Sequence, residues 1–81
     1  MKINIRKSAI KDLRNIDSSE KAKIHQKIIS LAKFPNVPNV KKLTSFEPAY
    51  RLRVGNYRIL FDVSENSIEI GRILHRKESY K

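Results

Sequence analysis

Tyr50-Arg51-Leu52-Arg53-Val54-Gly55-Asn56-Tyr57-Arg58-Ile59-Leu60-Phe61 is the stretch that decides the fold. Its first five residues alternate, the period-two pattern of a half-buried strand. Gly55-Asn56 supplies a two-residue turn, and a second strand-like run follows over Tyr57–Val63, so the segment reads as a β-hairpin. Arg51 and Arg53 point away from Leu52, and Arg58 points away from Ile59 and Phe61. The hairpin register decides whether these arginines become cross-strand neighbours. Like charges sharing a sheet face destabilise it unless an anion neutralises them. An arginine face made for phosphate is therefore a stronger reading here than a merely solvated one.

Working outward, Ser64-Glu65-Asn66-Ser67 is a second turn, and Ile68–Leu74 is a further strand. Upstream, Lys41–Ser45 reads as a short strand, and Phe34-Pro35-Asn36-Val37-Pro38-Asn39 as an ordered crossover, its prolines ending the helix before it. Phe34 and Val37 give that crossover apolar anchors. Asp17-Ser18-Ser19-Glu20 has the form of a capping box, opening a helix to about Lys33 with Ile24, Ile28 and Leu31 on one face. Ser8 is placed to cap an earlier helix, through about Asn15, with Ala9, Leu13 and Ile16 on its buried side. Residues 2–6 alternate as a first strand with Ile3 and Ile5 inward. The expected fold is α+β in one domain, residues 1–81. It has an N-terminal strand, an antiparallel helical hairpin, then a three- to four-stranded antiparallel sheet with the hairpin on one face.

Composition narrows the function. The 81 residues carry 18 Lys+Arg against 8 Asp+Glu, a formal net charge of +10. Such a chain attracts polyanions or an acidic partner. Five of the seven arginines (Arg51, Arg53, Arg58, Arg72, Arg76) fall in the strand-rich second half. Arginine's planar fork binds phosphate bidentately, which lysine cannot do. The helical lysines Lys21, Lys23, Lys27 and Lys33 form a basic stripe that reads first as a solubilising surface. No run approaches the ~18 apolar residues of a membrane span. The absence of cysteine excludes thiol catalysis and Cys-based zinc sites. His25 and His75 lie far apart with no carboxylate cluster near either, so neither a metal nor a cofactor is expected.

The hairpin together with Ile73-Leu74-His75-Arg76-Lys77-Glu78-Ser79-Tyr80 resembles the RelE/ParE superfamily of toxins from type II toxin–antitoxin modules. The Gly55–Arg58 turn and the His75–Tyr80 tail are the most specific parts of the match, and element order and length extend it over the whole chain. The resemblance implies a cytoplasmic protein silenced by a cognate antitoxin, acidic and adjacently encoded, in a toxin–antitoxin hetero-oligomer. RelE-like members cleave mRNA on the ribosome; ParE-like members poison DNA gyrase without nuclease activity. A non-catalytic basic RNA-binding module is a third possibility. Fold likeness alone does not choose among them.

Carried onto this chain, the RelE-type reading makes Arg58 the stabiliser of the pentavalent phosphate and Arg76 the stabiliser of the leaving group. Arginine does not deprotonate, so Arg76 is no literal acid. Tyr80 is placed to stack on a base, orient the 2′-hydroxyl or assist proton transfer. Arg51 and Arg53 stand where RelE-type sites hold lysines, one of them proposed as the base. Here they are expected, with Lys77, to grip phosphate. His75 is left as the general base or acid, its unperturbed pKa of ~6.5 suiting neutral pH. The competing structural readings are an ion pair of Arg58 with Asp62 or Glu69, a frayed Tyr80, and a His75 that merely ends the sheet. Glu47 is a further possible base in a loose loop context.

Overall fold

A computed structural model describes residues 1–43 and 49–77. The described elements are β1 (Lys2–Ile5), α1 (Lys7–Arg14), α2 (Ser18–Ser30) with a 3-10 turn at Leu31–Lys33, β2 (Val40–Lys42), β3 (Tyr50–Val54), β4 (Tyr57–Ser64) and β5 (Ser67–His75). The sheet order is β1-β5-β4-β3-β2. The α+β architecture is as expected, with one difference. β1 is an outer strand of the sheet and runs parallel to β5, pairing Ile3 with Ile68 and Ile5 with Ile70, so the sheet is mixed. Alternation marks which face Ile3 and Ile5 occupy, but carries no record of a partner more than sixty residues away.

The helix starts follow local chemistry. Asp17 caps α2, accepting from the Ser19 N–H at 3.4 Å and the Ser19 hydroxyl at 2.6 Å. Its carboxyl is held below the usual 3.8 by those two bonds. Glu20, the other half of the box, lies 3.8 Å from Lys23. Ser8 does not cap α1. The helix begins two residues earlier than such a cap would set it, with Arg6 at its cap position, and the Ser8 hydroxyl donates instead to the Gly71 carbonyl at 2.6 Å.

Ala9, Ile16, Ile24, Ile28 and Leu31 pack from the helical layer onto Leu52, Val54, Ile59, Phe61, Ile68, Ile70 and Ile73. Each fully buried Ile, Leu or Phe contributes roughly 1.5–3 kcal/mol. Phe34 enters from the crossover and meets Tyr50 and Phe61 edge-on, with centroids 5.3 and 6.1 Å apart, while Tyr50 stacks on Phe61. The crossover is thus pinned to the core by both expected anchors, Phe34 and Val37.

Two irregularities set the site. Gly55 adopts φ 57 at the first central position of the β3–β4 turn, the position that a type II′ hairpin reserves for glycine. A bulge in β5 pairs Leu60 with Arg72 but Phe61 with Ile70, leaving Gly71 as the extra residue. β1 ends beside this bulge, and α1 takes over the exposed strand edge. Arg6 N–H donates to the Ile70 carbonyl, Ser8 donates to that of Gly71, and Ile73 N–H donates to the Asp12 carboxylate at 2.9 Å. Those bonds satisfy backbone groups that an uncovered edge would leave open.

Candidate functional site

β3 and β4 carry the arginines to the face turned away from the helices. The register sets Arg53 opposite Arg58 and Arg51 opposite Leu60, and β2 adds Lys41 opposite Arg51. Four cationic side chains therefore occupy one patch: Lys41 and Arg53 exposed, Arg51 half-buried, Arg58 buried at 3% exposure. Leu60 and Leu74, both half-buried, share that face on the β4–β5 side. Two carboxylates of the sheet hold backbone and side-chain amides. Asp62 accepts the Ala49 N–H at 2.7 Å, and Glu69 accepts the Asn4 side chain at 2.7 Å.

Arg76 extends the β4–β5 ladder, its N–H donating to the Asn56 carbonyl at 2.7 Å. Leu74 lies directly opposite Arg58, so the backbone of Arg76, two residues on, is the diagonal neighbour of Arg58. Diagonal Cβ atoms in a sheet lie roughly 7–8 Å apart, within reach for side chains this long. Lys77 follows, exposed. Tyr80 and Glu47 lie outside the described residues.

His75 faces the other side of the sheet from Arg58, though with Asn56, Arg76 and Lys77 it also lines a surface cavity. It pairs with Tyr57, and its ring meets the Tyr57 ring edge-on at 5.2 Å, so both belong to the helix-facing side of the sheet. Together with Asp12, Asn15, Ile16 and Ile73 they line a cavity of about 290 Å³ between the end of α1 and the end of β5. The His75 Nδ1 accepts the Lys77 N–H at 3.3 Å. That bond ties the imidazole to the start of the tail. The same alternation that buries Ile73 assigns His75 to the helix side; reading His75-Arg76 as one motif obscured it.

Arg72 also departs from the phosphate-binding population suggested by arginine placement. Its Nε and terminal nitrogen donate to the two Asp12 oxygens at 2.8 and 3.1 Å, a bidentate clamp between β5 and α1. Burial works to raise the Asp12 pKa. The hydrogen bonds from Arg72 and Ile73 and the charges of Arg72 and Lys11 outweigh it and hold the carboxyl below its ordinary 3.8. Neither Asp12 nor Lys41 stood out in the sequence, because each gains its meaning from a partner distant along the chain. Among the described residues no cluster of three His, Asp or Glu side chains is placed to hold a metal, and no helix is long and apolar enough to cross a membrane.

This geometry has known counterparts. Residues 3–80 match the family described as the ParE toxin of type II toxin–antitoxin system, parDE. The chain is 35% identical over 85 residues to Toxin RelE3 of Methanocaldococcus jannaschii, covering 99% of this chain and 96% of that protein. The RelB–RelE antitoxin–toxin complex from Methanococcus jannaschii has a chain that superposes with a TM-score of 0.80 at 30% identity, over 94% of this chain and 93% of that one. The isolated E. coli RelE toxin, at 15% identity and a TM-score of 0.75 over 98% of this chain and 94% of its own, shares the fold.

Proposed function

The chain belongs to the ParE/RelE family of toxins from type II toxin–antitoxin systems, and from that premise we propose that it is a ribosome-dependent endoribonuclease that stops translation by cutting mRNA. The observation that carries this reading is the placement of Arg51, Arg53 and Arg58 on one sheet face, with Arg58 buried. Donors held in place and shielded from water stabilise developing charge far better than flexible exposed ones.

In the proposed reaction the 2′-hydroxyl attacks the adjacent phosphorus. The 2′-O–P bond forms and the P–O5′ bond breaks, the 2′-hydroxyl proton passing to solvent water and a water proton going to the departing 5′-oxygen. Arg58 holds the non-bridging oxygens as their charge grows, and Arg76 stabilises the leaving oxygen. Arg51, Arg53 and Lys77 hold flanking phosphates, and Tyr80 orients the nucleotide. His75 acts as a positioning residue: through the Lys77 N–H it fixes the start of the segment that bears Arg76 and Tyr80.

The partner in storage is an acidic antitoxin. The net charge of +10 supports this, as does the relative solved as a RelB–RelE antitoxin–toxin complex. The cytoplasm, where mRNA and ribosomes meet, is the compartment this activity requires.

The test is a reconstituted translation reaction with mapping of mRNA ends. Wild-type protein cuts mRNA on programmed ribosomes, and an Arg58→Ala, Arg76→Ala variant leaves it whole. Intact mRNA with the wild-type protein would overturn the reading. A second reading, a ParE-type gyrase poison, is favoured by the family match and by arginines at the strand positions where RelE-type sites hold lysines. It predicts gyrase-dependent double-strand breaks with translation untouched.

A further inference from the structure

We propose that Lys41 is an additional RNA-backbone contact, which widens the arginine face by one strand so that it holds more than one phosphate of a single-stranded RNA. The inference deepens the nuclease reading and rests on it. Three observations lead to it. Lys41 is the direct cross-strand neighbour of Arg51, which places it on the same side of the sheet as Arg53 and Arg58. It is exposed, on a three-residue edge strand. And the sheet pairs cation with cation twice, Lys41 with Arg51 and Arg53 with Arg58. Like charges directly opposite one another cost stability, so the Lys41–Arg51 pair on this edge is what a polyanion-binding face would retain and an inert surface would not.

The spacing suits a strand of RNA rather than a lone anion. From Lys41 to Arg58 is two inter-strand steps of roughly 4.8 Å and two residues along, roughly 7 Å. At that separation the two ends of the patch can each hold a phosphate of an extended chain. Leu60 and Leu74 continue the same face across β4 and β5. They provide an apolar floor beside the cations, next to the phosphate positions set by Arg51, Arg53 and Arg58.

The competing explanation is that Lys41 merely guards a sheet edge against pairing with another chain, a common use of edge lysines. Lys42 is the control. It lies on the same strand, is equally exposed, and pairs with Tyr50, which assigns it to the opposite face. An edge guard works from either position; a phosphate contact works only from Lys41.

The experiment measures binding of a fluorescent single-stranded oligoribonucleotide, made uncleavable by 2′-O-methyl groups, to the full chain over a range of salt. Each phosphate contact on a single strand contributes about 0.7 to the slope of log affinity against log salt. Lys41→Ala lowers the slope by about 0.7, Lys41→Arg restores it, and Lys42→Ala leaves it unchanged. Equal slopes for Lys41→Ala and Lys42→Ala, or no RNA binding by the wild-type chain, overturn the proposal. Intact mRNA on ribosomes with a Lys41-dependent slope overturns the nuclease reading alone.

Discussion

Arg53 and Arg58 stand directly opposite one another across the β3–β4 hairpin, one exposed and the other almost wholly buried. No local preference calls for two guanidinium groups to face each other in this way. The pairing follows from the two-residue Gly55-Asn56 turn, which sets the register, and from the core, which requires Leu52 and Val54 to meet Ile59 and Tyr57 on the other side. Under the proposed function this arrangement serves to hold phosphate.

Replacing the exposed member relieves that conflict. Arg53→Thr raises stability by a few tenths to about 1 kcal/mol in low salt, and the gain shrinks as salt screens the repulsion. Urea denaturation at two ionic strengths measures it. RNA cleavage by the same variant falls.

Asp12 links α1 to β5 and makes stability depend on acid. Its carboxyl is held below 3.8 in the folded protein, so its contribution is complete above that value and disappears as the pH falls through the lower folded pKa. Asp12→Asn keeps an acceptor for the Ile73 N–H and the Arg72 Nε, which share one oxygen, but meets the terminal nitrogen of Arg72 donor to donor. Near neutral pH it is less stable than wild type by about 1–3 kcal/mol. The two denaturation curves converge as the pH is lowered below 3.8, and a gap that persists there would contradict the assignment.

Gly55 tests the turn. A Cβ at this position meets only Glu20 Oε2 at 3.8 Å, an ordinary contact, so the cost of a side chain is conformational. Gly55→Ala destabilises the protein by about 1 kcal/mol, and Gly55→Asn by less, because Asn tolerates the left-handed region better. Thermal melts of the three proteins give the order.

His75 separates positioning from proton transfer. The Oδ1 of Asn can replace Nδ1 as acceptor for the Lys77 N–H, whereas Ala cannot. Under the positioning role His75→Asn retains most of the cleavage rate with an unaltered pH profile, and His75→Ala does not. A group that moved the proton would be lost equally in both, and the single-turnover pH–rate profile tells them apart.

Much of this protein is determined locally, and there the sequence was sufficient. Strict alternation around Gly55-Asn56 specified the hairpin, because a strand half in a core must alternate. The same alternation put Arg51, Arg53 and Arg58 on the face away from Leu52, Ile59 and Phe61. Helical spacing picked out Ala9, Leu13, Ile16, Ile24, Ile28 and Leu31, of which Leu13 is half-buried and the rest buried, and Asp17 marked the start of α2. These signals reside within a few residues of the chain, so they are readable without knowing where the chain goes next.

What tertiary structure decided involves residues tens of positions apart. It paired β1 with β5 in parallel, made Lys41 a neighbour of Arg51, and diverted Arg72 from the phosphate face to Asp12, sixty positions earlier. It also placed His75 behind the sheet, because the bulge at Gly71 shifts the alternation by one residue between Ile70 and Ile73. A periodic pattern records which way a side chain faces relative to its own strand. Which other charges it meets depends on strand order and register, and those are settled only when the whole core closes.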